Sequence, residues 1–259
     1  MIRALPERVP RLLVAGLAVF ALMLAMAAPG FAQGTPQAGM NPSTPSITLG
    51  DDQAGLVFVQ ASPSLVTVDV MVDDQPVLTN IAFGSVSEFL TVASGDHTIK
   101  LVPAGGDVSQ ALNSTDVTMD SGKLYDVVAA GPSDKIEVKS FQINNDPVKA
   151  DDARLRAIHA ADTVDAIDIA PVDGDPIFTN LSYFNASDHA DYRAGDVALE
   201  VRATGEQGSL VTLPAFKVEA GSSIDIIVAN DAQGNPVSLT VGVFAGSDQG
   251  ENDVASPAA

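Results

Sequence analysis

The sequence of 259 residues contains no cysteine, no tryptophan and only three histidines. Without cysteine the chain has no disulfide, no lipid-modified N-terminal cysteine and no thiolate zinc site. The three histidines show no His-x-x-x-His spacing, so they do not supply the closely placed ligands of a structural zinc site. The lack of tryptophan leaves little aromatic surface for stacking on sugars, although three tyrosines remain.

Basic residues are also scarce. The chain has 13 lysines and arginines against 33 aspartates and glutamates, which gives a formal net charge of −20 at pH 7. This charge opposes binding to phosphate backbones and adsorption on anionic membranes, because both attract basic surfaces. We therefore predict no nucleic-acid partner. The same charge is consistent with a soluble exported protein.

The N-terminus has the pattern of an export signal. Three arginines accompany the uncharged apolar run Leu12–Ala28, and small residues at Gly30 and Ala32 predict cleavage after Ala32. Residues 1–32 are therefore predicted to be a signal peptide, with a secreted or cell-surface location and no membrane insertion after cleavage. An uncleaved anchor is the alternative, since the run approaches the length of a membrane span.

The rest of the chain contains an internal repeat. The segment Pro76–Asn80 returns as Pro176–Asn180, and Val68–Val70 returns as Ile167–Ile169. The offset is 99 at the start, becomes 100 after one insertion placed at Pro171, and later returns to 99. A period of this length indicates a duplicated domain rather than a short solenoid repeat.

Apolar and polar residues alternate in both copies, which predicts short β-strands separated by turns. In the first copy, valines occupy every second position of 66–72. We predict an all-β fold of two tandem antiparallel β-sandwich domains, immunoglobulin-like or transthyretin-like. The predicted boundaries are a disordered spacer at 33–54, a first domain at 55–145, a linker at 146–152, a second domain at 153–246 and an acidic tail at 247–259.

The repeated residues resemble the domain of unknown function 4397 family, which occurs in exported bacterial and archaeal proteins, often as tandem copies. The first copy keeps Ala61-Ser62-Pro63, Val68–Val70, Leu78–Asn80 and Phe83-Gly84, and the second keeps His159-Ala160, Ile167–Ile169, Phe178–Asn180 and Tyr183. Gln60 stands where the family tends to have histidine, and Phe184 stands in place of the glycine. The resemblance implies an exported domain pair and brings no mechanism.

A group of aspartates in the second copy is the candidate metal site. Its members are Asp162, Asp165, Asp173 and Asp175. Calcium prefers several oxygen ligands, but the spacing does not match the EF-hand loop. A solvated acidic turn is the preferred interpretation, a calcium site is the alternative, and no other cofactor is predicted.

Other candidate residues have structural interpretations. The equivalent Asp69 and Asp168 lie midway along strands, and alternation predicts that they face solvent or cap a nearby turn rather than bind a ligand. His159 is predicted to hydrogen-bond a strand end. The aromatic pairs are predicted to fill the cores, with a ligand platform as the alternative; they are Phe83 with Tyr183 and Phe141 with Phe244.

The sequence contains no Gly-x-Ser-x-Gly elbow and no phosphate-binding Gly-x-x-x-x-Gly-Lys loop, so we predict that the protein is not an enzyme. The expected function is a non-catalytic binding or structural module of the cell envelope or extracellular space, with an unknown extracellular protein or glycan as partner. Two linked weak sites would gain avidity. The alternatives are a calcium-dependent or carbohydrate-binding accessory domain pair and, more distantly, a secreted hydrolase.

Overall fold

The computed structural model describes residues 49–65, 67–144 and 146–244. The predicted signal peptide, most of the predicted spacer, Val66 and the predicted acidic tail lie outside the described residues. Within the described ranges, no helix is long and apolar enough to cross a membrane.

The first copy consists of eight strands and a single 3-10 turn at Val108–Gln110 among the described residues. Each run that alternation predicts here overlaps a strand. The strands are β1 (Gln53–Gln60), β2 (Val68–Val72), β3 (Gln75–Ile81), β4 (Leu90–Ala93), β5 (Gly95–Pro103), β6 (Asn113–Met119), β7 (Leu124–Ala130) and β8 (Glu137–Ile143).

The second copy repeats this order with ten strands in the described part of the chain. The strands are β9 (Asp152–His159), β10 (Ala166–Pro171), β11 (Phe178–Ser182), β12 (Ala190–Arg193), β13 (Gly195–Val197), β14 (Leu199–Ala203), β15 (Ser209–Thr212), β16 (Phe216–Val218), β17 (Ser222–Asn230) and β18 (Pro236–Phe244). The sequence prediction missed β12, β13 and β15, which have four, three and four residues, because the signal of alternation is weak over such lengths.

Each copy contains two four-stranded sheets. In the first copy these are β4-β1-β7-β8 and β3-β2-β5-β6, and in the second they are β12-β9-β17-β18 and β11-β10-β14-β15. We call the first sheet of each copy its inner sheet and the other its outer sheet. The all-β sandwich prediction is confirmed, but pairing is not antiparallel throughout, because β1 runs parallel to β7 and β9 runs parallel to β17. Alternation of apolar residues does not encode the direction of pairing.

Alternate residues of the inner strands fill a core within their own copy. In the first copy, Leu56 and Phe58 of β1 share one buried cluster with Val68 and Val70 of β2. A separate cluster of the second copy joins the inner and outer sheets in the same way around Leu155. The period of two predicted for the valines therefore corresponds to one buried face of each strand.

The other residues of the inner strands form a third core, shared by both copies, which we call the junction. Val59 of β1 and Val128 of β7 lie in one cluster with Ile158 of β9 and Ile227 of β17. These residues are equivalent pairs in the repeat, so the two copies meet through the same face. Strands β7 and β17 are buried along their whole length because they are covered on both sides. The sheets thus stack in the order outer, inner, inner, outer.

This junction opposes the relative motion that a short polar linker would otherwise allow, because large apolar interfaces hold domains together. Burying a Val, Leu, Ile or Phe side chain contributes about 1.5–3 kcal/mol relative to leaving it exposed. The chain also becomes ordered earlier than predicted. Strand β1 begins at Gln53, and Leu49 packs against Leu124 and Ile143. The predicted spacer at 33–54 therefore overlaps the first strand at residues 53–54.

Candidate functional site

The equivalent aspartates Asp69 and Asp168 are buried and bind backbone amides. Asp69 is 7% exposed, and its carboxylate accepts hydrogen bonds from the N–H groups of Asn80 at 2.8 Å and Gly105 at 2.9 Å. Asp168 accepts the matching bond from the N–H of Asn180 at 2.7 Å. The prediction that these side chains face solvent is wrong, whereas the prediction that they bind a nearby turn is confirmed.

The bond to the asparagine has a conformational reason. Asn80 and Asn180 have φ angles of 58° and 52°, in the left-handed region, and the pairing with the neighbouring strand shifts register beside them. Such an irregularity removes an amide from the sheet ladder, and a buried carboxylate satisfies that amide. Asp69 and Asp168 therefore stabilise the bulged edge strands β3 and β11.

His159 has the structural role that the sequence predicts. Its Nδ1 accepts a hydrogen bond from the N–H of Ala161 at 3.3 Å, and its Nε2 lies 2.9 Å from the carbonyl oxygen of Val164. Both contacts fit a neutral ring, and burial lowers the pKa of His159. In the first copy Gln60 reproduces one of these bonds, because its Oε1 accepts from the N–H of Ser62 at 3.0 Å.

His97 differs from His159 in having an acceptor at each ring nitrogen. Nδ1 lies 2.7 Å from Oδ2 of Asp73, and Nε2 lies 2.7 Å from the carbonyl oxygen of Ala93. Only the cationic ring donates at both positions. Burial opposes the charge, but the bonds to Asp73 and Ala93 outweigh it and raise the pKa of His97. The contact ties the turn after β2 to the end of β4, and Val197 occupies the equivalent position in the second copy.

The four aspartates of the candidate calcium site make separate contacts or none. Asp162 accepts a hydrogen bond from the side-chain amide of Asn230, and Asp173 lies in a turn with φ of 58°. Asp165 bonds through its backbone oxygen to the N–H of Tyr183. In the described parts of the chain, no three carboxylate or histidine side chains converge as a metal site would require. The solvated acidic turn stays the prediction and a calcium site the alternative; a thermal melt that changes little between EDTA and millimolar calcium would favour the former.

A charged network that the sequence prediction missed lies in the junction. Arg156 of β9 donates to both carboxylate oxygens of Asp225, at 2.9 and 2.5 Å, and to Oδ2 of Asp126 at 2.9 Å. It also donates to the carbonyl oxygen of Gln142 at 2.6 Å. Arg156 is 3% exposed, Asp225 2% and Asp126 0%. The available signal was a charged residue in the middle of an apolar strand, at a position where the first copy has Val57.

Phe184 anchors the apolar half of the junction. Its ring is 1% exposed, stacks on Tyr183 with centroids 5.7 Å apart and meets Phe141 edge-on at 6.0 Å. Lys139 of β8 lies 4.9 Å from the ring centroid and donates to the backbone oxygen of Phe184 at 2.8 Å. The prediction that Phe141 and Tyr183 fill a core is confirmed, with Phe83 packed on the same cluster. The side chain of Phe244 lies outside the described residues.

The environment of Tyr183 is not that of an exposed ligand platform. Burial, together with the charges of Asp162 and Glu137, raises the pKa of Tyr183 to about 12. Its ring also meets His159 edge-on, with centroids 6.0 Å apart. Tyr183 is therefore a neutral side chain that links the junction to the buried histidine.

An open groove of about 390 Å³ lies between the edge strands β11 and β12 of the second copy. Its lining is Ile177, Phe178, Thr179, Asn180, Leu181, Ala186, Ser187, Asp188, His189 and Ala190. The groove combines an apolar part around Phe178 and Leu181 with hydroxyl, amide, carboxylate and imidazole groups. Burial, followed by the charge of Arg156, lowers the pKa of His189, so this ring enters the groove as a neutral group.

Residues 54–170 match the model of a family described as "Domain of unknown function (DUF4397)". This match supports the resemblance over the first copy and the first two strands of the second. Because it is a single match, the assignment of the second copy to the same family stays a prediction. A search of curated proteins found no match.

Three solved structures resemble the chain weakly. The Bacillus anthracis TIE protein is 11% identical with a TM-score of 0.21, and the alignment covers 74% of this chain and 43% of that protein. A putative cell adhesion protein from Parabacteroides distasonis is 10% identical with a TM-score of 0.22 over 74% and 99% of the two chains. Family 41 carbohydrate-binding modules from streptococcal virulence factors, described for alpha-glucan recognition, are 11% identical with a TM-score of 0.21 over 67% and 92% of the two chains. Alignments this weak carry no argument about function.

Proposed function

We propose that the protein is an exported, non-catalytic binding or structural module of the cell envelope or extracellular space. The predicted export signal supports the location, and the pair of packed sandwiches supports a scaffold that holds its edges and loops in fixed positions. A rigid scaffold lowers the entropy lost on binding, since the contacting groups are already placed.

The observation that carries the proposal is the groove between β11 and β12. Binding sites are concave, mainly apolar, and contain a few placed polar groups. The groove is concave and combines a few polar groups with apolar side chains, with the polar part of its lining the larger one; β11 and the segment that leads into β12 line it. Its polar groups include a carboxylate at Asp188 and a neutral imidazole at His189, which can orient a ligand through hydrogen bonds.

The repeat provides a matched control for testing the groove. Thr179 and Asp188 line the groove, and both are exposed. Thr79 and Glu88 are the equivalent exposed residues of the first copy. The pair Thr179→Trp with Asp188→Ala fills the groove and removes its charge, whereas Thr79→Trp with Glu88→Ala makes the same changes in the first copy.

The experiment screens the labelled protein against glycan and peptide arrays and then measures the affinity of both variants for each hit. We expect the groove variant to lose at least about tenfold in affinity, which corresponds to about 1.4 kcal/mol, and the control variant to bind as the wild type does. Equal losses in both variants, or none in either, would reject the groove as the binding site. No hit on any array would count against a binding role and favour a structural one.

A further inference from the structure

The junction contains an unbalanced set of buried charges. One guanidinium, Arg156, faces two carboxylates, Asp126 and Asp225, and each of the three groups is at most 3% exposed. Burying a charge without full compensation is costly, and the expected response is neutralisation by a proton. Two carboxylates that share one site do not both ionise readily.

The hydrogen bonds identify the carboxyl group that holds the proton. Both oxygens of Asp225 accept bonds from Arg156, as in a bidentate ion pair. Asp126 accepts one bond from Arg156 through Oδ2, and its buried Oδ1 has no hydrogen-bond partner among the described residues. An ionised Asp126 would leave a charged oxygen unsatisfied in the interior, so Asp126 is the group that is better neutral.

Within the part of the chain that the structure describes, Arg156 is the only cation paired with Asp126. Arg154 of β9 lies 3.8 Å from Asp191 and donates to the backbone oxygen of Asp146. Lys139 of β8 is bound to the backbone oxygen of Phe184.

Before β12, His189 accepts from the N–H of Asn144 at 3.3 Å, and burial and Arg156 keep it neutral. Asp188 beside it adds negative charge. Burial, followed by the nearby charge of Asp225, raises the pKa of Asp126 well above its ordinary value, which agrees with the geometry.

We propose that the junction is a proton-dependent lock, in which Asp126 is held as a neutral acid in the native protein and loss of its proton weakens the packing of one copy on the other. The folded chain then binds one proton more than the unfolded chain between the ordinary pKa of aspartate and the raised value. Stability from this group is fully present below the ordinary pKa and is lost as pH rises through the raised one.

The direct test is an NMR titration of the side-chain carboxyl carbons of the full chain, with the signal of Asp126 assigned by its disappearance in Asp126→Asn. We expect this signal to keep the position of a protonated acid at pH values at which the signals of exposed aspartates have already moved. A signal that titrates together with the exposed aspartates would overturn the proposal.

A second test compares unfolding of the wild type and of Asp126→Asn as pH rises from 4. The equilibrium constant for unfolding of the wild type should increase relative to the variant by up to about tenfold per pH unit until Asp126 ionises. Exposed Asp134 provides the control, since Asp134→Asn should keep the wild-type slope. In Asp225→Asn, Asp126 stays buried but loses the neighbouring carboxylate, so the slope should end at a lower pH than in the wild type. A slope that survives in Asp126→Asn would contradict the proposal.

A third test measures directly whether the junction opens when Asp126 loses its proton. The chain has no cysteine, so spin labels at Asp134→Cys and Gln207→Cys report one distance between the copies. We expect this distance distribution to broaden at alkaline pH in the wild type and to stay narrow in Asp126→Asn. An unchanged distribution in the wild type after Asp126 has ionised would reject the lock.

Discussion

The two copies agree in the contacts that hold one sandwich together and differ in the contacts that join the sandwiches. Asp69 and Asp168 bind the amide of an equivalent asparagine at nearly the same distance. In contrast, Val57 in the first copy corresponds to Arg156 in the second. The repeat therefore encodes one sandwich twice, and the differences between its copies fit the two inner sheets to each other.

The copies also differ at a junction residue where the family pattern has glycine. Gly84 has φ of 79°, and Phe184 keeps a left-handed φ of 52° although it carries a large side chain. A left-handed backbone at a bulky residue costs about 1–3 kcal/mol and persists only where its surroundings stabilise it. Here the stabilising surroundings are the aromatic contacts of the junction.

The largest effect is expected when Arg156 is given the residue of the first copy. Arg156→Val leaves Asp126 and Asp225 buried without their cation, which should lower the free energy of unfolding by about 3–5 kcal/mol. Denaturant unfolding of the full chain measures this change. Lys135→Ala is the control, because its side chain is 78% exposed and should change stability by less than about 0.5 kcal/mol. A loss no larger than that of the control would show that the network does not stabilise the junction.

The next effect concerns Phe184. Phe184→Ala should cost about 3–5 kcal/mol because it removes a buried ring. Phe184→Gly should be less destabilising than Phe184→Ala, since glycine adopts a left-handed φ without strain. Thermal and denaturant unfolding of both variants gives the comparison. If the glycine variant is the less stable one, the backbone at this position is not strained.

A smaller loss of stability, of equal size in the two copies, is expected at the equivalent aspartates. Asp69→Ala and Asp168→Ala each leave a buried amide without its acceptor, which should cost about 1–3 kcal/mol. Stability measurements should give similar values for the two variants. Unequal costs would indicate that the two copies do not use this contact in the same way.

The sequence predicts most of the strands, the duplication and the fold class, because these depend on local alternation and on similarity at a fixed offset. It does not predict the partners of Asp69. Alternation alone places a carboxylate midway along a strand on the exposed face, and the bulge of β3, which provides the amide that Asp69 binds, has no signal in the sequence. It also does not predict the junction. The inner strands are apolar on both faces, and this pattern does not distinguish a central strand of one sandwich from a strand between two sandwiches.

The groove could not be predicted from the sequence either. Its lining comes from β11 and from the segment before β12, a short strand whose alternation is too brief to be recognised. For the network of Arg156, the sequence contains one signal, which is the presence of a charged residue within an apolar run. The sequence could not show that Asp126, 30 positions earlier in the other copy, lies beside it.

The smallest effect is a difference in pH dependence between the copies. The bonds of His97 raise its pKa above 6.5, so its contribution to stability is complete below about pH 6.5 and is lost as pH rises through the raised value. His97→Val gives the first copy the residue of the second and should remove this dependence. Melting temperatures of both proteins from pH 6 to pH 9 provide the measurement, and identical profiles would show that His97 is not charged in the native state.

The central claim is that the two copies form one rigid body through the junction. Nuclear spin relaxation of backbone amides in residues 49–244 tests this most directly, because it gives a rotational correlation time for each copy. We expect both copies to report one common correlation time, that of the whole body. Shorter and unequal times for the two copies would show that they reorient independently, and would contradict the account.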